Sequence, residues 1–183
     1  MVKKLKSIAV YCGHQFGNDK QFESDARAVG TMLAQNGIRM VFGGGDVGLM
    51  GTVATAALDN DGTVIGISTD EVIARQEPAH GDVHVEIVDG VNERKQRMFE
   101  LSDAFIILPG GIGTLNELTD IMTMQQIGET KKPLFFLNSK DFWSPLSDLI
   151  RHMNECGFIE TFDDYKMFNA DSVAELTEQI LKY

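Results

Sequence analysis

The sequence has only two cysteines, Cys12 and Cys156, far apart in the chain. With no CxxC pair and no Cys/His cluster, neither a disulfide framework nor a structural zinc site is indicated. Basic residues are scarce: 16 Lys and Arg stand against 27 Asp and Glu, for a net charge of −11. That balance weighs against a long nucleic acid as partner, because such binding depends on neutralising phosphates with Lys and Arg. A small anion is still compatible, since local groups can outweigh the global charge. Long apolar runs are missing too, and nothing approaches the ~20 residues of a membrane span. The start, Met1-Val2-Lys3-Lys4 before Ile8-Ala9-Val10, imitates a signal peptide, but its apolar run is short and meets Gly13-His14-Gln15 at once. A cytoplasmic protein with no membrane partner is expected. Histidines number four, and only His80 and His84 have helical spacing. His84 lies in a strand-like run, so no metal is expected.

What is present suits one globular domain spanning residues 1–183. The chain is 43 % hydrophobic and 23 % charged, the ordinary range for a packed core. Apolar runs bounded by turn residues predict strands at 8–12, 38–42, 64–67, 83–88, 104–108 and 133–137, with a short edge strand at 165–168. Helical periodicity predicts helices from Asn18-Asp19 to Gly37, over 51–58, 91–101, 114–128, 143–156 and 171–181. The polar stretch 68–82 reads as a loop with a short helix. Strands alternating with helices imply an α/β fold: a single Rossmann-like domain with a mostly parallel sheet covered on both faces. Ligands bind such sheets at the C-terminal edge of the strands.

At that edge the most informative stretch is Leu108-Pro109-Gly110-Gly111-Ile112-Gly113-Thr114-Leu115-Asn116-Glu117. It reads as strand, glycine turn, helix. Glycines let backbone approach a ligand, and a helix N-terminus offers unpaired N–H groups and a positive dipole end. The combination suits phosphate. Glu117 is expected in the first helical turn. Thr114-x-x-Glu117 also matches a capping box, as does Ser172-x-x-Glu175. Glu117 therefore has a structural reading beside a catalytic one.

A second glycine turn, Gly43 to Gly51, follows the second strand. Gly43-x-Gly45-x-x-Gly48 matches a dinucleotide fingerprint, with Asp70 as a possible ribose acid. That fingerprint normally follows the first strand of its fold, and the chain is short for a separate substrate region. In the helix 91–101, Val91, Met98 and Leu101 trace an apolar stripe, and Arg94 falls on it. A guanidinium facing a core needs an anion: a structural carboxylate or a ligand phosphate. Arg94 and Glu117 are expected on opposite sides of one crevice.

These motifs resemble the LOG family, the cytokinin riboside 5′-monophosphate phosphoribohydrolases, many of which are labelled lysine decarboxylase-like. The matching stretches are Pro109 to Glu117, Glu93-Arg94-Lys95 and Gly43 to Gly51. The resemblance implies hydrolysis of the N-glycosidic bond of a nucleoside 5′-monophosphate, giving free base and ribose 5-phosphate. It implies a homodimer and no cofactor. It places catalytic roles on Arg94 and Glu117. Substrate-binding roles fall on Gly44, Gly45, Met50, Glu77, Lys95, Gly110, Gly111, Ile112, Gly113, Thr114 and Thr123. His14, Asn92 and Met124 depart from residues common in the family and point to a difference at the base. A non-catalytic nucleotide or molybdenum-cofactor carrier on the same fold is the alternative. A decarboxylase would need pyridoxal phosphate on a lysine, and no lysine stands in a pocket motif.

Overall fold

The computed structural model describes residues 4–74, 83–161 and 165–183. Seven strands form one sheet: β1 (Ser7–Tyr11), β2 (Arg39–Phe42), β3 (Val64–Ser68), β4 (His84–Ile87), β5 (Ala104–Ile107), β6 (Leu134–Leu137) and β7 (Met167–Ala170). Their order is β4-β3-β2-β1-β5-β6-β7, and every pairing is parallel. The helices are α1 (Lys20–Gln35), α2 (Gly48–Leu58), α3 (Asp70–Ile73), α4 (Gly90–Glu100), α5 (Ile112–Gln126), α6 (Ser144–Glu155) and α7 (Val173–Lys182). No helix among the described residues is long and apolar enough to cross a membrane.

Alternation along the strands explains why both faces are covered. In β1, Ile8 and Val10 point to one layer and Ala9 and Tyr11 to the other, and all four are buried. The first layer joins α1, α2 and α7 through Phe22, Leu33, Val53, Leu176 and Ile180. The second joins α4, α5 and α6 through Met98, Leu118, Ile121 and Leu146. Strand order reverses between β1 and β5, so their outgoing loops lead to helices on opposite faces and leave a cleft between them.

In the first layer, α1 and α2 meet closely because their contact positions are small. A Cβ at Gly30 would lie 2.2 Å from the Val53 carbonyl oxygen and 3.0 Å from Ala56 Cβ. Gly30→Ala is therefore expected to lower stability by about 3 kcal/mol, despite alanine's better helix propensity. Urea unfolding reads this directly; an unchanged midpoint would contradict the close crossing.

Three expectations need correction. The edge strand runs from Met167 to Ala170, two residues later than predicted, because Leu134 pairs with Met167. Val91 does not join the apolar stripe of α4 but is 52 % exposed, and Met98 alone of that helix is buried. Helix α5 starts at Ile112 rather than Thr114, with Gly111 as its N-cap. Glu117 thus lies in the second turn. Thr114-x-x-Glu117 is no capping box, whereas Ser172 does accept the Glu175 N–H at 3.2 Å.

Candidate active site

The cleft at the β1/β5 switch point has a volume of about 170 Å³. One wall is the first turn of α5, from Gly111 to Thr114. No side chain caps this helix, and its first intrahelical donor is the Leu115 N–H, 3.0 Å from the Gly111 carbonyl. The N–H groups of Ile112, Gly113 and Thr114 precede the helical ladder and lie at the cleft, with the positive end of the dipole behind them. Cys12, Gly13 and His14, directly after β1, form the facing wall with Met50 of α2.

The floor is an ion pair. Arg94 reaches up from α4, donates through Nε to the Ile67 carbonyl at 2.9 Å and through Nη1 to Glu117 Oε1 at 3.2 Å. The two side chains are only 12 % and 13 % exposed. They do not stand on opposite sides of the crevice; they touch. Gly43, at the end of β2, makes room for this, since a Cβ there would lie 2.0 Å from Arg94 Nη2.

Burial pushes the Glu117 carboxyl up to about 6, while Arg94 and then Lys95 pull it back down. The group is mostly ionised at neutral pH but sits close to a proton-transfer range. Burial, helped by the negative charge of Glu117, raises the Cys12 thiol, so Cys12 lines the cleft as a neutral thiol rather than a nucleophile.

Of the residues singled out by motif, Met50, Arg94, Gly111, Ile112, Gly113, Thr114 and Glu117 line this cleft together. Gly110 lies behind it, in an apolar recess with Phe16, Phe22 and Phe142. Gly44 and Gly45 are buried within the second glycine turn and outside the cleft lining, where Gly43 stands instead. Lys95 points to a neighbouring groove, its ammonium held by Asp120 at 2.6 Å and Asn116 at 2.9 Å. Thr123 is exposed, donates to the Thr119 carbonyl at 2.8 Å and lies away from the cleft. Glu77 lies outside the described residues, as does His80. Asp70 is exposed on α3, away from the cleft lining. Motif reasoning gave no role to Cys12 or Val72, and quoted Gly43 only within the second glycine turn; Cys12 and Gly43 directly follow strands, a position that itself marks the ligand edge. No group of three or more metal-ligating side chains occurs among the described residues. Among the described residues the cleft lining has no lysine, which does not fit pyridoxal phosphate held as a Schiff base.

A family model described as "Possible lysine decarboxylase" matches residues 50–180. The chain is 41 % identical over 155 residues to the cytokinin riboside 5′-monophosphate phosphoribohydrolase of Rhodococcoides fascians, covering 84 % of this chain and 78 % of that protein. It is 36 % identical over 180 residues to the cytokinin riboside 5′-monophosphate phosphoribohydrolase LOG of Oryza sativa subsp. japonica, covering 98 % and 74 % respectively. In structure it is similar to the molybdenum cofactor binding protein of Rippkaea orientalis, with a TM-score of 0.69, 24 % identity and coverage of 98 % and 97 %. That last likeness concerns the fold. The sequence matches span more than two thirds of the phosphoribohydrolases, and they show that the chain belongs to the LOG family, whose model carries the lysine decarboxylase label.

Proposed function

We propose that this protein hydrolyses the N-glycosidic bond of a nucleoside 5′-monophosphate to a free base and ribose 5-phosphate. The observation that carries this is the buried Arg94–Glu117 pair at the floor of a cleft walled by an uncapped helix N-terminus. The names of the relatives in Rhodococcoides fascians and rice support it.

The α5 N-terminus would hold the 5′-phosphate through backbone N–H groups and dipole. Fixing the phosphate orients the sugar carbon over the floor. As the C1′–N bond lengthens, positive charge develops on the sugar, as in other glycosidic cleavages. The Glu117 carboxylate stabilises that charge and orients water, whose oxygen bonds to C1′; the departing base takes up a proton. Arg94 keeps Glu117 ionised and in place. No cofactor enters the scheme.

The working state we propose is a cytoplasmic homodimer. Ile112, 82 % exposed beside the cleft, and Val91 offer apolar surface that a second copy would cover.

The test is to incubate the protein with AMP, N6-isopentenyl-AMP, CMP and UMP, each beside its nucleoside, and to quantify base and ribose 5-phosphate. Release from monophosphates but not nucleosides, lost in Arg94→Ala and Glu117→Gln, is expected. Tight nucleotide binding with no release from any substrate would instead favour a non-catalytic carrier.

A further inference from the structure

Two cavities meet at the loop after β1. One is the cleft already described; the other is the apolar recess behind Gly110, of about 250 Å³. His14 lines both, together with Gly13 and Gly111. We propose that His14 is a second contact to the 5′-phosphate, its imidazolium meeting the anion across the cleft from the first turn of α5. This deepens the proposed function and rests on a phosphate being held at that helix end.

The bend that carries His14 is pinned by two neighbouring loops. The Gly13 N–H donates to the Pro109 carbonyl at 3.0 Å, and the Gly13 carbonyl accepts the Met50 N–H at 3.2 Å. Gly48 packs directly on the bend: a Cβ there would lie 2.2 Å from the His14 carbonyl carbon. A Cβ at Gly13 would lie 3.4 Å from the Gly110 Cα, so the bend runs alongside the Pro109-Gly110-Gly111 turn. The imidazole is therefore carried on fixed backbone next to the N-cap of α5. It does not line the groove between α4 and α5 beyond Glu117. Its ring is exposed, open to an arriving anion.

Charge balance gives the imidazole its role. A phosphate monoester carries about −1.5 to −2 near neutral pH. A helix N-terminus offers about half a positive charge, and the first turn of α5 has no basic side chain. Arg94 is committed to Glu117 and to the Ile67 carbonyl. Cys12 stays a neutral thiol. His14 is the remaining ionisable side chain of the two cavities, and it has no hydrogen bond or ion pair among the described residues. The charged groups around the cavities do not supply the missing cation. The glycine turn packed on the bend carries Asp46, and Lys140, on the loop before Phe142, pairs with Asp19 at 3.7 Å. An imidazolium adds one positive charge and an N–H donor, which phosphate oxygens accept. Histidine gains and loses that charge near neutrality, so this contact is one that pH switches.

The test reads the binding of ribose 5-phosphate, which has no base to lose, by calorimetry at pH 6 and pH 8.5. Wild type is compared with His14→Gln, which keeps a neutral donor, and His14→Lys, which keeps a positive charge at both pH values. His14→Gln is expected to bind about tenfold more weakly at pH 6, the worth of one charge-assisted hydrogen bond at an exposed site. At pH 8.5 it should come within about threefold of wild type. His14→Lys should match wild type within about threefold at pH 6 and bind more tightly than wild type at pH 8.5. Titration of the phosphate itself is common to all three proteins and cancels in these ratios. With AMP at pH 6, His14→Gln should raise KM about tenfold and leave kcat within about threefold, because the contact is made alike before and during bond breaking. Equal binding by all three proteins, a gap that does not close at pH 8.5, or no binding by wild type overturns the contact. If AMP is not hydrolysed but the gap opens and closes with pH, the His14 contact stands and the hydrolase reading falls. If AMP is hydrolysed and the gap is absent, the hydrolase reading stands and the His14 contact falls.

Discussion

Glu117→Gln is expected to lower kcat/KM for a nucleoside monophosphate by about 10³-fold while the chain stays folded. Glutamine keeps the shape and still offers a carbonyl oxygen to Arg94 Nη1, so the guanidinium is not stranded; it also retains the Ile67 carbonyl. What is lost is the negative charge that meets the developing sugar cation. A purely structural role for the pair predicts the opposite pattern, a large stability loss with activity falling only in step. The pH dependence separates the two further. Glu117 is raised from the ordinary 4.5 to about 6, first by burial. The folded chain thus holds a proton that the unfolded chain releases. Ionising Glu117 costs stability that is absent below 4.5 and complete above about 6, a total of about 2 kcal/mol. Glutamine has no such cost. Urea unfolding of both proteins at pH 4.5 and pH 7 should therefore show the difference between them shifting by about 2 kcal/mol in favour of the variant. Parallel behaviour at the two pH values would contradict a buried, raised carboxyl.

Gly43→Ala is the second large effect, and it is expected on activity rather than stability. The added Cβ would meet Arg94 Nη2 at 2.0 Å and Met50 Sδ at 2.9 Å. Both are ends of flexible side chains, so the backbone can stay and the side chains give way, at a cost within about 1.5 kcal/mol. Arg94 must leave its place, and with it goes the bond to Glu117. A misplacement of about 1 Å at such a centre costs about 10²-fold in kcat/KM. Without Arg94 beside it, Glu117 loses the strongest influence holding its pKa down, so the acidic limb of the pH–rate profile should move to higher pH. Activity within twofold of wild type, or an unmoved limb, would show that Arg94 does not work from this position.

Much of this architecture is legible in the sequence. The apolar runs bounded by glycine and proline mark β1, β2, β5 and β6, since a strand buried on both faces must be apolar throughout. Pro109-Gly110-Gly111 before a helical period announces the strand–turn–helix junction from β5 to α5, because proline and glycine end a strand sharply. Arg94 stands out because a guanidinium on a core-facing stripe demands an anion. These are local facts, carried by neighbouring residues.

Other features were decided only by the tertiary structure. Thr114-x-x-Glu117 and Ser172-x-x-Glu175 are the same local pattern, yet only the second caps a helix. Helix α5 starts at Ile112 behind Gly111, which puts Glu117 in the second turn, where it meets Arg94. Arg94 and Glu117 stand 23 positions apart, and nothing in that interval marks that the two should touch. Contact arises because α4 and α5 pack on one face of the sheet and Gly43, from a third element, leaves the guanidinium its space. The sequence by itself determined the elements, the sheet's ligand edge and the two residues most suited to chemistry. Folding decided their partnership and its electrostatics, since burial and distance between remote residues exist only once the layers have closed.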